Sequence, residues 1–541
     1  MADRAVPDGA RHHRGPAVPT PPVKRPVTDR SPPGRCHAQV RFVTFRRIGT
    51  GLAPPSARPV RLPVTRFPAP MSQFALDQLF GDAVVIKDGR LYVRRPEALA
   101  TPAMDTLVRG AVFGDGAQKE QARWMIWELG QAVGTRPASI HELYVARGQG
   151  KVRGFTVPAI NVRAMSYDVA RSIFRTAIKL EAGAFLLEIA RSEIAYTEQR
   201  PAEYVAVMLA AALREGFRGP VFIQGDHFQV NHKKYAVDPV PEVEAVKALA
   251  REAIAAGFYN IDIDTSTLVD LSKPTLDEQQ AVNYTRAVEL TRHVRGLEPE
   301  GVTISLGGEI GEVGTENSTP EELHAFMQGY NRTLAAQAPG MAGLSKISVQ
   351  SGTSHGGVVL ADGSIADVKL DLPTLETLSR IARDDYGMSG AVQHGASTLP
   401  DDAFHHFPRT ETAEIHLATN FQNILYDHLP AALREEIYGW LDVNAKDERK
   451  PKDTDEQFYY KTRKKALGPF KPQLWSLPAD VQAALAAAYD AKFEFLFRQL
   501  GVGGTAQAVS RFVTAPAQHR PAPTGAEALV PAAPDDADLS D

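Results

Sequence analysis

Residues 220–227, Pro220-Val221-Phe222-Ile223-Gln224-Gly225-Asp226-His227, decide the fold. An apolar, β-prone run is followed by a glycine, and an acid and an imidazole then stand where a buried strand would end. Seven further runs repeat the pattern: 155–161 (FTVPAIN), 183–190 (GAFLLEIA), 259–266 (YNIDIDTS), 303–310 (TISLGGEI), 346–353 (KISVQSGT), 389–397 (SGAVQHGAS) and 413–420 (AEIHLATN). Helix-like stretches lie between them, for example 167–181 and 240–256, the latter with Val243, Val246, Leu249, Ala253 and Ala256 on one face. Strand and helix alternating over roughly 250 residues imply a parallel sheet, and eight repeats close into a (β/α)₈ TIM barrel of the α/β class. A doubly wound open sheet is the alternative.

Polar residues stand at or just past the ends of these runs: Asn161, Arg191, Asp226 with His227, Asp264 with Ser266, Glu309, His355, His394 with Ser397, and Thr419 with Asn420. Taken singly, each reads as a capping or turn side chain. Taken together, they would face one mouth of a barrel, where active sites sit. Three of them are histidines. Neutral imidazoles bind zinc and its neighbours, and His227, His355 and His394 would leave a coordination position open for substrate. The chain has 15 histidines, and the adjacent pairs His405-His406 and His12-His13 read as ordinary surface or leader residues. Asp226, Asp264 and Glu309 bring carboxylates to the same mouth, where each would act as ligand, ligand support or general base. Gly352, Gly356, Gly357 and Gly395, with Ser354 and Ser397, would let backbone N–H groups approach an anion such as phosphate.

The flanks read differently. Residues 1–70 are rich in arginine and proline, with Asp3, Asp8 and Asp29 the only acids. They lack the apolar core of a secretory signal, so a disordered leader is expected, with Met71 an alternative start. Residues 71–150 read as a helical lead-in, with Met125, Ile126, Leu129 and Val133 at helical spacing around Trp124 and Trp127. The barrel is expected over 151–430. A helical extension over 431–514 follows, carrying a charged insertion at 444–467 and an amphipathic helix at 478–500. A disordered Pro/Ala-rich tail closes the chain over 515–541. The 541 residues contain 60 Lys plus Arg against 64 Asp plus Glu, a net charge of -4 that gives no footprint for nucleic acid or an anionic membrane. The single cysteine, Cys36, excludes an internal disulfide, and no apolar run is long enough to span a bilayer. A soluble, cytoplasmic protein is expected.

Residues from about 150 to 430 resemble the class II, metal-dependent fructose-bisphosphate and tagatose-bisphosphate aldolases. The resemblance rests on Asp226-His227, Ile263-Asp264-Thr265-Ser266, Glu309-Ile310-Gly311, Gly352-Thr353-Ser354-His355-Gly356 and His394-Gly395-Ala396-Ser397, in the family's order. It implies a catalytic zinc on His227, His355 and His394, with Asp264 and Glu309 beside it in alternate or resting positions. It implies that Asp226 shuttles the proton between hydroxyl and aldehyde, and that a monovalent cation is a further candidate cofactor. Gly356, Gly395, Ser397 and Thr419 would line a phosphate pocket, Asn161 would face the sugar, and the protein would form a homodimer or homotetramer. The implied reaction is reversible cleavage of a phosphorylated ketose to dihydroxyacetone phosphate and an aldehyde.

Departures from the family concern the substrate. The mobile-loop glutamate matches Glu316 only with a one-residue deletion; otherwise Asn317 takes its place. The family's Asn-x-Asp-Thr on the last strand becomes His416-Leu417-Ala418-Thr419. Where a serine is common after the second strand, Arg191 stands as a candidate for bidentate binding of an anion. The partner-supplied arginine for the far phosphate has no clear match near Lys464, Lys465 and Lys471. The alternatives are a metal-dependent aldolase or lyase on a ketose without that phosphate, a non-catalytic metal- and sugar-binding barrel, and a metal-dependent hydrolase. The 478–500 helix is the candidate subunit interface.

Overall fold

The computed structural model describes residues 73–87, 90–311, 316–352 and 370–523. The leader 1–70, residues 312–315, the segment with His355 and Gly356, and the chain beyond 523 lie outside the described residues. Before the barrel come an antiparallel hairpin of β1 (Val84–Lys87) and β2 (Arg90–Val93), and a single strand, β3 (Thr135–Ala138). Eight barrel strands follow: β4 (Val157–Asn161), β5 (Leu186–Ala190), β6 (Gly219–Gln229), β7 (Asn260–Asp264), β8 (Ser305–Glu309), β9 (Lys346–Val349), β10 (Ala391–Gln393) and β11 (Glu414–Leu417). They pair in parallel in the order β6-β5-β4-β11-β10-β9-β8-β7, and β6 meets β7 to close the ring. All eight runs expected from the sequence carry a strand, and the fold is a (β/α)₈ TIM barrel.

The strands are short because the sequence stops them. Most end at or just before a polar residue, as at Asn161, Asp264, Glu309 and Gln393, and helices return on the outside. Thr275…Glu278 and Thr319…Glu322 form capping boxes that open the helices Leu276–Arg295 and Pro320–Gln337. Val169, Ile173, Phe174 and Ala177 bury the inner face of the helix Ser166–Lys179. No helix among the described residues is long and apolar enough to cross a membrane.

Three expectations are corrected. The lead-in is not wholly helical: β-branched and aromatic residues in 84–93 make the hairpin, and β3 adds to the barrel sheet beside the start of β6. The helix Ala479–Gln499 is not a free interface. Its Leu485, Tyr489, Phe493 and Phe497 are buried, with Phe493 against Phe421 and Phe497 against Phe185 of this same chain. Arg175–Asp490 and Lys179–Glu494 ion pairs then flank the seam. The tail from Ala515 is not loose over its first residues. Its proline-rich backbone offers free carbonyls, and donors on the helix Gly116–Val133 and beside it take them. Trp124 Nε1 donates to the Arg520 carbonyl (3.0 Å), Trp127 Nε1 to that of Gln518, and Arg136 to that of Ala515 (3.0 Å). The Arg520 guanidinium lies 3.3 Å over the Trp127 ring. The charged insertion is also folded: it carries the helix Asp455–Thr462, whose Tyr459 stacks on Tyr438 with centroids 4.1 Å apart.

Candidate metal centre and active site

The run Gly225-Asp226-His227-Phe228 places two functional side chains in succession by breaking the ladder. The β6–β7 register shifts between Gly225 and Phe228, a bulge that frees Asp226 and His227 from strict in-and-out alternation. Gly225 is required there, since a Cβ would collide with the Phe228 ring. His227 takes φ +40°, a conformation that costs a non-glycine residue about 1 kcal/mol or more and persists where the surroundings enforce it.

Those surroundings are carboxylates. His227 Nδ1 donates to Asp264 Oδ2 at 2.9 Å, and Glu309 Oε1 lies 3.0 Å from the same nitrogen. Asp264 is locked in turn by Ser266 Oγ (2.6 Å) and Gln229 Nε2 (2.7 Å). The other nitrogen, His227 Nε2, faces His394 Nδ1 at 2.7 Å, and His394 Nε2 meets Ser348 Oγ at 3.0 Å. Each imidazole is thus held from behind and turns its remaining nitrogen to the other. The ring planes are inclined at 62°, with the two nitrogens facing each other. Asp226 Oδ1 is 3.8 Å from His227 Nε2.

Charge favours a cation here. Burial alone would lower the His227 pKa, but Asp226 and Glu309 outweigh it and hold it well above the ordinary imidazole value. Burial, with Asp264 adding to it, pushes the Glu309 carboxyl up to about 7. Asp226 Oδ1 and Glu309 Oε1 are buried and face the imidazoles, Glu309 Oε1 at 3.0 Å from His227 Nδ1 and Asp226 Oδ1 at 3.8 Å from His227 Nε2. Two facing imidazole nitrogens beside buried carboxylates make a group that could hold a metal ion, with His227, Glu309 and His394 bringing ligand atoms within 4.8 Å of one another.

Beneath this pair lies a layer of charge. Lys346, fully buried on β9, reaches Asp262 (2.9 Å), Gln224 Oε1 (2.8 Å) and Glu414. Tyr144 from the lead-in donates to Glu414 from the other side. Gly307 makes room, because a Cβ would collide with Asp262 and Lys346. Above Glu414, the His416 ring stacks on His394 with centroids 4.1 Å apart and planes 16° apart. None of these residues except His416 was singled out in the sequence, and His416 only as the loss of an amide. The signal was the two-residue period Gln224/Asp226, Asp262/Asp264 and Glu414/His416, which puts a second polar layer below each mouth residue.

The remaining candidates divide. Ser397 Oγ accepts from Thr419 N at 3.1 Å, which brings these two together beside Gly395. Asn161 is buried and donates to Glu193 Oε2 (2.6 Å) while accepting from Arg163 (3.2 Å). Arg191, the candidate for anion binding, is 2% exposed, paired with Glu242 at 2.7 Å and bonded to the Gln229 carbonyl. The short helix that begins at Arg191 turns it inward to tie β5 to β6. Glu316 is exposed to solvent, while Asn317 donates to Asp371 Oδ2 at 2.8 Å. His355 and Gly356 lie outside the described residues.

Comparison with known proteins bears on this site. The family profile described as fructose-bisphosphate aldolase class-II matches residues 148–471, which take in the whole barrel. The chain belongs to that family. Membership supports a metal-dependent, aldolase-like function. Among solved structures, the chain is similar to the fructose-bisphosphate aldolase of Campylobacter jejuni, at 14% identity over 66% of this chain and 93% of that one, with a TM-score of 0.40. It is also similar to the YdjI aldolase of Escherichia coli K12 (12% identity, 68% and 99% covered, TM-score 0.40). A third is the fructuronate-tagaturonate epimerase UxaE of Cohnella laeviribosi (12%, 77% and 93%, TM-score 0.47). No curated protein matches the chain.

Proposed function

We propose that this aldolase-family chain catalyses reversible, zinc-dependent aldol cleavage of a phosphorylated ketose, fructose 1,6-bisphosphate or a relative, to dihydroxyacetone phosphate and an aldehyde. The observation that carries the reading is the pair His227 Nε2 and His394 Nδ1, 2.7 Å apart and each braced from behind, with Asp226 alongside. His227 and His394 would hold the ion, with His355 completing the set by family resemblance. A bound divalent metal supplies Lewis acidity toward the ketose carbonyl. The protein's own groups do the rest. Asp264 and Glu309 fix the His227 ring through Nδ1, and Ser348 fixes His394 through Nε2. Asp226 Oδ1 takes the hydroxyl proton of the cleaved bond and returns it to the aldehyde in the reverse direction. Ser397, Gly395 and Thr419 offer hydroxyl and backbone groups to the substrate phosphate.

A second reading has support in the last strand. Ala418 carries no polar atom, and both nitrogens of His416 already face carboxylates. Fewer contacts then remain for the ordinary phosphorylated end, which favours a related metal-dependent aldolase on a differently substituted ketose. One assay tests both: cleavage of fructose 1,6-bisphosphate by metal-analysed protein, with and without chelator, read by release of dihydroxyacetone phosphate. Chelator-sensitive cleavage supports the first reading. A zinc-loaded protein that leaves this sugar intact overturns it in favour of the second.

A further inference from the structure

His416 stands where the family resemblance places an amide, and its surroundings give it work of a different kind. Its Nδ1 lies 3.1 Å from Glu188 Oε2 and 3.3 Å from Asp226 Oδ1. Its Nε2 lies 2.8 Å from Glu414 Oε1. These carboxylates are themselves fixed. Glu414 takes Lys346, Gln224 and Tyr144, and Glu188 Oε2 accepts from Gln224 Nε2 at 3.0 Å. His394 stacks on one face of the His416 ring, which is 5% exposed.

Asp226, His394 and His416 bring ligand atoms within 4.8 Å of one another. An imidazole nitrogen binds a metal close to the plane of its ring, however, and two rings stacked with centroids 4.1 Å apart and planes only 16° apart direct their nitrogens nearly side by side rather than toward one point.

What His416 does reach is Asp226. Two imidazoles flank Asp226 Oδ1: His227 Nε2 at 3.8 Å and His416 Nδ1, the nearer, at 3.3 Å. When His227 Nε2 is committed to a metal, His416 is the one of the two left to hold that oxygen. We propose that His416 is a positioning residue that fixes the Asp226 carboxylate against the metal centre, through a ladder running Lys346–Glu414–His416–Asp226. It touches neither metal nor substrate. This role rests on the reading of Asp226 as the proton-transfer group, but the placement itself can be tested apart from any reaction.

The experiment compares crystal structures of zinc-loaded wild type, His416→Phe, His416→Asn and His416→Gln, with zinc measured per chain and cleavage kinetics alongside. Phe keeps the stack on His394 and loses the nitrogen; Asn is too short to reach Asp226; Gln restores a donor. In the Phe and Asn variants, zinc content should stay at the wild-type value while Asp226 Oδ1 moves by about 1 Å or more, with kcat falling roughly 10–100-fold for such a misplacement. KM should stay within about threefold, and Gln should recover most of kcat, which separates loss of positioning from loss of substrate binding. The proposal is overturned if Asp226 keeps its place in either zinc-loaded variant, or if zinc is lost in step with the nitrogen. Should the wild type cleave no fructose 1,6-bisphosphate, the functional reading fails while the crystallographic comparison still decides the placement. If one of the two variants does not fold, the other carries the test.

Discussion

Replacing Lys346 with methionine tests the charge layer beneath the candidate metal centre. The side chain is 1% exposed and its ammonium serves Asp262, Glu414 and Gln224 together. Met has similar length and no charge, so the substitution leaves little cavity and strands two carboxylates. Removing one partner of a buried pair costs about 3–5 kcal/mol. At about 2.1 cal/mol/K of unfolding entropy per residue over roughly 430 described residues, that corresponds to a fall in Tm of about 3–5 °C.

The pH dependence identifies the cause. In the native chain burial would raise the Glu414 carboxyl, but Lys346 and then His416 outweigh it and hold it down to about 2. Below its unfolded value, it contributes stability present above pH 4.5 and lost as pH falls toward 2. Without Lys346 its folded pKa should rise above the unfolded one. The variant would then lose stability as pH climbs from about 4.5 up through the raised folded value, and the gap from wild type should be small near pH 4 and full near pH 8. Thermal unfolding of both proteins across that range, followed by circular dichroism, reads the gap directly. A difference of the same size at pH 4 and pH 8 would refute the electrostatic account and leave packing as the explanation.

Three further outcomes follow from the same geometry. His394→Ala should lose zinc altogether, and Asp264→Asn should weaken zinc affinity about 10–100-fold by loosening His227; competition with a chromophoric chelator measures both, and full affinity in Asp264→Asn would remove the brace from the account. Burial, helped by Arg295, lowers His141 to about 4 from 6.5. With the folded pKa below the unfolded one, the neutral fold should lose roughly 3 kcal/mol as pH falls from 6.5 to 4. His141→Gln should flatten that part of the stability curve, and an unchanged slope would assign it to other groups. Truncation after Val513 should red-shift the Trp124 and Trp127 emission and cost about 2–4 kcal/mol, from the lost carbonyl bonds and the Arg520 stack; identical spectra would mean that the strap does not hold these rings.

How far the sequence carries this picture depends on the kind of signal. The eight strands were legible because each apolar run ends abruptly in a polar residue, and the ends recur at barrel spacing. Asp226, His227 and His394 were legible for the same reason, standing where the strands stop. The bulge that sets Asp226 and His227 side by side has only Gly225 as its trace, and its cause is the Phe228 ring. Arg191 shows the limit of the rule. It ends a strand like the others, yet it is tied to Glu242, 51 positions later. No local pattern reports a partner that distant. The buried layer was hidden differently: Glu188, Asp262 and Glu414 sit inside apolar runs, where a charge reads as a solvent-facing alternate of a half-exposed strand. In a closed parallel barrel the inward alternates have no solvent. A charge there must find its counterpart across the ring, as Lys346 does for Asp262 and Glu414. Once closure is granted, each acid in mid-strand demands such a partner. That demand, applied to Glu414 and then to His416 two residues on, leads from the floor of the barrel up to Asp226.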